Sequence, residues 1–444
     1  MLHFIKAFYF CNRFFKVLLG LAFLFLLSYW FKEWYAIIWL GVMTLVVAVL
    51  IDILLLFIPK SALKAHRHLP DKFSNSDENP VPVTIQNLYN FKTEITVIDE
   101  LPVQFQKRDF RYVCRIGPGK KHDFEYLVRP LERGVYTFGK LNVYVTSPLG
   151  LIKRRYHFLN EQEVLVYPSF IQMQKYDFLA ISQHLTLAGL KKIRKIGHTT
   201  EFEQIKEYIP GEDFRTVNWK ATAKRSQLMV NQYQDERSQP VYSFIDTGRA
   251  MKMPFNELKL LDYAINSTLA FTNVALKKHD KAGMLSFDKT VDHFVPALQK
   301  SAQLHTVMEH LYNIDTQFPD ADFGYLYAFV RRKISHRSLL MLYTNFEHIS
   351  ALKRQLPYLK GIAQKHLLIV IFFENTQLQQ LVHKKADSLQ EIYHKALAQK
   401  FTFEKRLMQQ ELLKCGIQTI LTAPENLTIN AINKYLEVKA RGML

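Results

Sequence analysis

Val241-Tyr242-Ser243-Phe244-Ile245-Asp246-Thr247-Gly248-Arg249-Ala250 sets the fold class of the C-terminal half. Five mostly apolar residues of strand length run into a polar loop, and an apolar helical pattern follows from Leu258 to Leu276. A short apolar run, a loop and then a helix-length pattern open a βαβ unit. Apolar strands and helical patterns keep alternating through Ala282 to Phe287, Leu304 to Tyr312, Tyr325 to Val330, Leu339 to Tyr343, Leu352 to Ile362 and Leu367 to Phe373. A long charged helical stretch (Leu378 to Leu413), a strand near Ile417 to Leu421 and a closing helix from Leu427 to about Val438 complete the chain. The alternation predicts a doubly wound α/β domain with a parallel sheet over 239–444.

Upstream, 169–238 is a connecting segment. Ile209-Pro210-Gly211-Glu212-Asp213 makes a turn, and Asp213 is placed to cap a helix from Phe214 to about Arg225. Arg215 and Trp219 stand one turn apart and could stack. Lys220, Lys224 and Arg225 make this helix basic, as a solvated face or as a partner or lipid contact. Leu228, Val230 and Gln232 then alternate into a strand that ends at Asp235-Glu236-Arg237.

Between 80 and 168, short runs with one buried face predict a β-sandwich: Val81, Val83 and Ile85, then Thr93 to Ile98, Tyr112 to Ile116, Phe124 to Val128, Val135 to Phe138 and Leu141 to Val145. From Pro70 to Pro82 the chain is polar and proline-bounded, and residues 61–79 read as a linker. Gly134 to Lys140 has the spacing of a phosphate-binding loop. However, Leu141 follows where Ser or Thr would hold magnesium, and another strand stands where a helix is needed, so a glycine-supported hairpin is the better reading.

Residues 1–60 read as a transmembrane helical hairpin. Val17 to Phe31 is an uncharged apolar run flanked by lysines, and Tyr35 to Ile58 holds one charge, Asp52, in 24 residues. A second span following at once argues against a cleaved signal peptide. Lys6, Arg13 and Lys16 precede the first run and Lys60, Lys64 and Arg67 follow the second, which puts both ends in the cytoplasm of an inner-membrane protein. Trp30, Trp34, Tyr35 and Trp39 gather at the far interface. Asp52 is expected to reach water or Lys60.

The chain has 444 residues, 48% of them hydrophobic, and a formal charge of +18. That length implies two or three domains. The charge suits nucleic acid, an acidic partner or anionic lipid. Cys11, Cys114 and Cys415 are too scattered for a disulfide framework or a thiolate metal site, and reducing surroundings fit best.

With these elements placed, the chain resembles the bacterial domain-of-unknown-function family fifty-eight over nearly its whole length. The resemblance rests on Tyr208-Ile209-Pro210-Gly211-Glu212-Asp213-Phe214-Arg215, on Trp219-Lys220-Ala221-Thr222-Ala223, and on Leu228 and Val230 before Asp235-Glu236-Arg237. Leu101-Pro102, Arg129-Pro130, Arg133-Gly134, Ser147-Pro148-Leu149-Gly150-Leu151 and Lys434-Tyr435-Leu436-Glu437-Val438-Lys439 fit as well. The resemblance implies a von Willebrand factor type A-like α/β domain, a binding fold that often holds magnesium at its strand ends through Asp-x-Ser-x-Ser, a Thr and a second Asp. Here Asp246 keeps the leading carboxylate. Gly248 and Ala250 replace the hydroxyls, Ala321 stands where the Thr would, and Asn345 replaces the second Asp. A hard cation with one carboxylate left should bind poorly, so no metal and no cofactor are expected.

The resemblance further implies a membrane-anchored, non-enzymatic scaffold or interaction protein that works with a MoxR-type AAA+ ATPase in assembly or maturation of other proteins. Gly211, Asp213, Arg215, Trp219, Lys220 and Lys224 are the expected partner-binding or signature residues. A metal-assisted hydrolase using Asp246, Asp235 or Glu236 is the alternative enzyme, yet no nucleophile elbow or His-Glu-x-x-His run is present. Nucleic-acid binding is not favoured: the lysines are dispersed, and lipid headgroups account for the charge more simply.

Overall fold

The computed structural model describes residues 6–31, 34–59, 62–107, 109–158, 161–181, 201–210, 214–225, 227–234, 238–385 and 388–443, and the chain divides into two compact units, Met1–Tyr167 and Pro168–Leu444.

The first unit opens with a short strand, β1 (Phe8–Phe10), and two helices, α1 (Asn12–Leu27) and α2 (Trp34–Phe57). One of them, α2, is long and apolar enough to cross a membrane. α1 has 16 residues, about 24 Å of helix, against a hydrocarbon core about 30 Å thick. The helices approach closely at Gly41, where a Cβ would stand 3.1 Å from Leu21.

Ten strands follow: β2 (Leu63–Arg67), β3 (Lys72–Ser74), β4 (Asn79–Asn87), β5 (Thr93–Asp99), β6 (Tyr112–Ile116), β7 (Lys121–Val128), β8 (Gly134–Phe138), β9 (Leu141–Thr146), β10 (Ile152–Phe158) and β11 (Gln162–Tyr167). They form three sheets, ordered β1-β10-β9-β5-β6, β3-β11-β8 and β2-β4-β7. All pairings are antiparallel except β3 with β11. Alternate residues such as Val81, Val83 and Ile85 of β4, Ile95 and Val97 of β5, and Val143 and Val145 of β9 enter one shared core. Leu45, Val49, Ile53 and Phe57 of α2 pack on that core, and Leu56 is inside it.

Three expectations are corrected in this unit. Residues 61–79 contain β2 and β3 rather than a linker. Their polar groups satisfy one another: Asn79 accepts from the Ser74 amide at 2.8 Å and donates to the Ser74 and Asp77 carbonyls, while buried Arg67 donates to Asp99 at 2.5 Å. Gly134 to Lys140 is no hairpin, because β8 and β9 lie in different sheets; the turn instead brings Gly139 against Glu100, where a Cβ would clash. Asp52 does not reach water, and Lys60, its other expected partner, lies outside the described residues. The carboxylate is fully enclosed and accepts from Ser147 Oγ at 2.5 Å and from the Leu151 amide at 3.2 Å. Arg154 donates to the carbonyls of Leu56 and Pro59, at 2.5 and 2.9 Å, and the Tyr89 hydroxyl donates to the Leu56 carbonyl as well, at 2.9 Å, so the chain leaving α2 finds partners for its carbonyls.

The second unit begins with α3 (Phe170–Ile181), the antiparallel pair β12 (Glu201–Glu207) and β13 (Met229–Gln234), and the short helix α4 (Trp219–Arg225) between them. The expected helix from Phe214 is interrupted. A 3-10 turn covers Phe214–Thr216, buried Val217 bridges to Val230, and the α-helix begins only at Trp219, with Asn218 Oδ1 accepting from the Ala221 amide at 3.0 Å. Asn218 therefore holds the cap position assigned to Asp213, and Asp213 lies outside the described residues.

The α/β region comprises β14 (Pro240–Asp246), a two-residue ladder of β15 (Pro254–Phe255) and β16 (Leu258–Lys259), α5 (Leu260–Lys277), β17 (Lys281–Phe287), β18 (Val291–Leu298), α6 (Gln303–Tyr312), α7 (Phe323–Lys333), β19 (Leu339–Tyr343), α8 (Ile349–Ala363), β20 (Leu367–Phe373), α9 (Thr376–His383), α10 (Leu389–Lys414), β21 (Gln418–Thr422) and α11 (Leu427–Ala440). The sheet order is β18-β17-β14-β19-β20-β21, with β18 antiparallel and the rest parallel. Both faces are covered, so β14 sends Val241 and Ile245 into a core shared with α5, α6 and α11, and Tyr242 and Phe244 into another shared with α7, α8 and α10. The single helical stretch expected over 378–413 is two helices, each with its own cap: Asn375 for α9 and Ser388 for α10.

Candidate functional site at the strand ends

Parallel sheets present their loops at the C-terminal ends of the strands, and there β14, β19, β20 and β21 of this chain bring together residues far apart in sequence. Asp246 ends β14 and is 2% exposed. Its Oδ2 accepts from Thr344 Oγ1 at 2.6 Å and its Oδ1 from the Gly248 amide at 2.8 Å. Burial pushes its pKa up to about 6 against the pull of these two donors, and Asp288 adds to the rise. Thr247 donates from its hydroxyl to the Phe287 carbonyl at 3.0 Å, and Thr316 donates to the Thr247 carbonyl at 2.9 Å, which ties the loop to its neighbours.

Asn345, just past β19, accepts from the ammonium of Lys405 on α10 at 2.6 Å, and Lys405 also donates to the Phe346 carbonyl at 2.7 Å. Burial lowers the Lys405 pKa to about 8, with Glu347 opposing the shift. Beside this pair opens a cavity of about 310 Å³. Phe255, Leu260, Phe373, Leu378 and Phe401 give it an apolar wall, and Asn345, Asn375, Glu347, Glu374 and Lys405 add polar groups.

The positions that the sequence aligned with a metal loop do converge. A Cβ on Gly248 would stand 2.9 Å from Asp246 Oδ1 and 3.0 Å from Ala321, so glycine is required there by close approach. Ala250 lies in the 3-10 turn Arg249–Met251 that follows. The donor set does not fit a divalent cation. Both Asp246 oxygens are engaged by protein donors, Gly248 and Ala321 offer no side-chain oxygen, and the Asn345 oxygen already faces an ammonium. Among the described residues, no three His, Cys, Asp or Glu side chains are grouped to hold a metal.

The signature segment is elsewhere in this unit. Trp219 is 63% exposed and meets the Phe214 ring edge-on at 6.1 Å, and Lys220 and Lys224 are exposed on α4. Arg215 is exposed in the preceding 3-10 turn. Gly211, Asp213, Asp235 and Glu236 lie outside the described residues. Thr344 and Lys405 were missed as site residues. Thr344 is the sequence neighbour of Asn345, a position at which the family resemblance implies no ligand, and Lys405 is one lysine among many on a charged helix.

Residues 204–382 match the family described as "Protein of unknown function DUF58". The protein called "Uncharacterized protein YeaD" from Bacillus subtilis (strain 168) is 26% identical over 265 residues, covering 58% of this chain and 64% of that protein. The chain thus matches less than two thirds of that relative's length, and the two matches support the DUF58 family. Among solved structures, the CARDB domain of the PF1109 protein from Pyrococcus furiosus is 14% identical with a TM-score of 0.18, over 23% of this chain and 86% of that one. Native alpha-2-macroglobulin from Escherichia coli is 18% identical with a TM-score of 0.20, over 24% of this chain and 16% of that one. Neither structural likeness carries an argument at such TM-scores.

Proposed function

We propose that the chain is a two-span membrane protein with both ends in the cytoplasm, and that it is an interaction protein rather than an enzyme. The pairing of β1 with β10, Phe8 to Arg154 through Phe10 to Ile152, carries the membrane arrangement. β1 precedes α1 and β10 follows α2, and two strands that share hydrogen bonds must lie on one side of a bilayer. The helices between them therefore cross twice or not at all. The 24 residues of α2, with one charge and an apolar outer face, favour crossing. The basic flanks support the cytoplasm as the shared side.

The strand-end cavity supports binding. It is apolar enough to take a side chain of a partner, with Glu347 and Glu374 among its polar wall groups, and Asp246, outside its lining, is sealed by its own donors. The partner in this proposal is a MoxR-type AAA+ ATPase, as the family resemblance implies, with the exposed basic helix α4 as a second contact.

Two experiments test this. In intact cells, an impermeant thiol reagent should label a cysteine placed near Glu33 and spare one at Gln239; the reverse pattern inverts the topology. The purified MoxR-type ATPase of the same organism should bind the full-length protein in nanodiscs, and Leu378→Lys at the cavity should weaken binding at least tenfold. No binding to the wild type, or equal binding to both, sinks the partner proposal.

A further inference from the structure

We propose that the turn Ser147–Leu151 enters the cytoplasmic interface of the bilayer with Pro148 and Leu149 against lipid, and that Asp52 holds it there. This rests on the two-span arrangement above. α1 supplies about 24 Å of helix where about 30 Å of hydrocarbon must be matched, so on its side a layer of about 6 Å needs other apolar cover. At the start of α1 stand Tyr9, Phe10 and Phe15, all exposed, together with this turn. The Cys11 amide donates to the Leu151 carbonyl at 2.8 Å, and the Arg13 guanidinium lies against Gly150.

The depth of the turn is fixed by α2. Its outer face stays apolar and exposed through Val47, Leu50, Ile51, Leu54 and on to Ile58, six residues beyond Asp52. Six residues are about 9 Å of helix. On the inner face, Asp52 is enclosed and bonded to Ser147 and Leu151. The turn is therefore held about 9 Å inside the level to which the outer face of α2 calls for lipid. Pro148 and Leu149 are exposed there, Leu149 by 47%. Arg13, beside them, can reach up to a headgroup phosphate. The turn brings both of its donors to Oδ2 of this carboxylate and ties the buried group to the turn, while Oδ1 has no hydrogen-bond partner among the described residues.

The test uses the full-length protein in liposomes, with Cys114→Ser and Cys415→Ser and the buried Cys11 retained. Single cysteines at Leu149, Leu50 and Val103 carry a polarity-sensitive dye. Val103 is 82% exposed and follows Asp99, which pairs with Leu141 at the end of β9 away from the turn. Lipids spin-labelled near the headgroup should quench the Leu149 probe at least twofold more than the Val103 probe. Deep-labelled lipids should quench Leu50, and iodide should reach only Val103. Lipid quenching at Leu50 with iodide quenching at Leu149 overturns this inference and leaves the membrane arrangement standing. Iodide access at both overturns both. A Leu149 probe shielded from lipid and iodide alike means that a second protein surface covers the turn, which also overturns it. Asp52→Leu should expose Leu149 to iodide without changing Leu50; unchanged Leu149 quenching removes Asp52 from the proposal.

Discussion

The ammonium of Lys405 donates to Asn345 Oδ1 at 2.6 Å, so a helix and a strand-end loop 60 residues apart share one largely buried cation. Its folded pKa, about 8, lies below the ordinary 10.5 because burial disfavours the charge. Between these values the unfolded chain holds the extra proton, so stability should rise as pH climbs from 8 to 10.5, and below 8 the penalty is fully present. Melting of the detergent-solubilised protein across this range should show the rise in the wild type and lose it in Lys405→Met. Parallel profiles for the two proteins would exclude Lys405 as the titrating group.

Asp246 should behave as a fastener of its loop. Asp246→Ala leaves the Thr344 hydroxyl and the Gly248 amide without their buried acceptor, at about 2 kcal/mol. Urea unfolding measures that loss. Magnesium should leave the melting temperature of both proteins unchanged, whereas a cation at a hundred times its Kd would add about 2.7 kcal/mol. A magnesium shift present in wild type and absent in Asp246→Ala would show that the loop binds metal after all.

Arg67 and Asp99 form a buried pair, with Tyr126 donating to the other carboxylate oxygen at 2.5 Å. Burial raises the Asp99 pKa in spite of Arg67, so the pair is held by geometry against its desolvation. Arg67→Met should destabilise the first unit by about 3–5 kcal/mol, measured by denaturant unfolding. A change below about 1 kcal/mol, a typical hydrogen bond's worth, would mean that Asp99 simply takes up a proton and repacks.

On the signature segment, capping and charge should separate. Asn218→Ala removes the cap of α4 and should cost on the order of 1 kcal/mol. Lys220→Glu with Lys224→Glu alters only exposed positions and should leave unfolding unchanged while weakening ATPase binding. Wild-type binding by that double variant would make α4 a solvated face and leave the cavity as the sole proposed contact.

How legible these features were depended on where each signal is carried. β14, β19 and β20 announce themselves because a strand buried on both faces must be apolar at nearly every position. β2 and β3 did not, since Arg67, Ser74, Asp77 and Asn79 are polar yet buried, their partners being other side chains and turn amides. β18, an edge strand, mixes His293 and Asp292 with Val295, and so resembles loop sequence. Asp246, Gly248, Ala321 and Asn345, in three separate loops, were reached through the family resemblance. Lys405 was not, because its meaning comes from the loop it reaches, and nothing in its neighbours on α10 marks it.

The pairing of β1 with β10 also sets an order on biosynthesis. Phe8–Phe10 is made before Ile152–Arg154, which follows roughly 7–30 s later at ordinary elongation rates. Both apolar helices are synthesised within that interval. In the proposed two-span arrangement the nascent chain would have to keep β1 within reach of the cytoplasm while both helices insert, and the β1 edge of the five-stranded sheet closes only after both helices have been made.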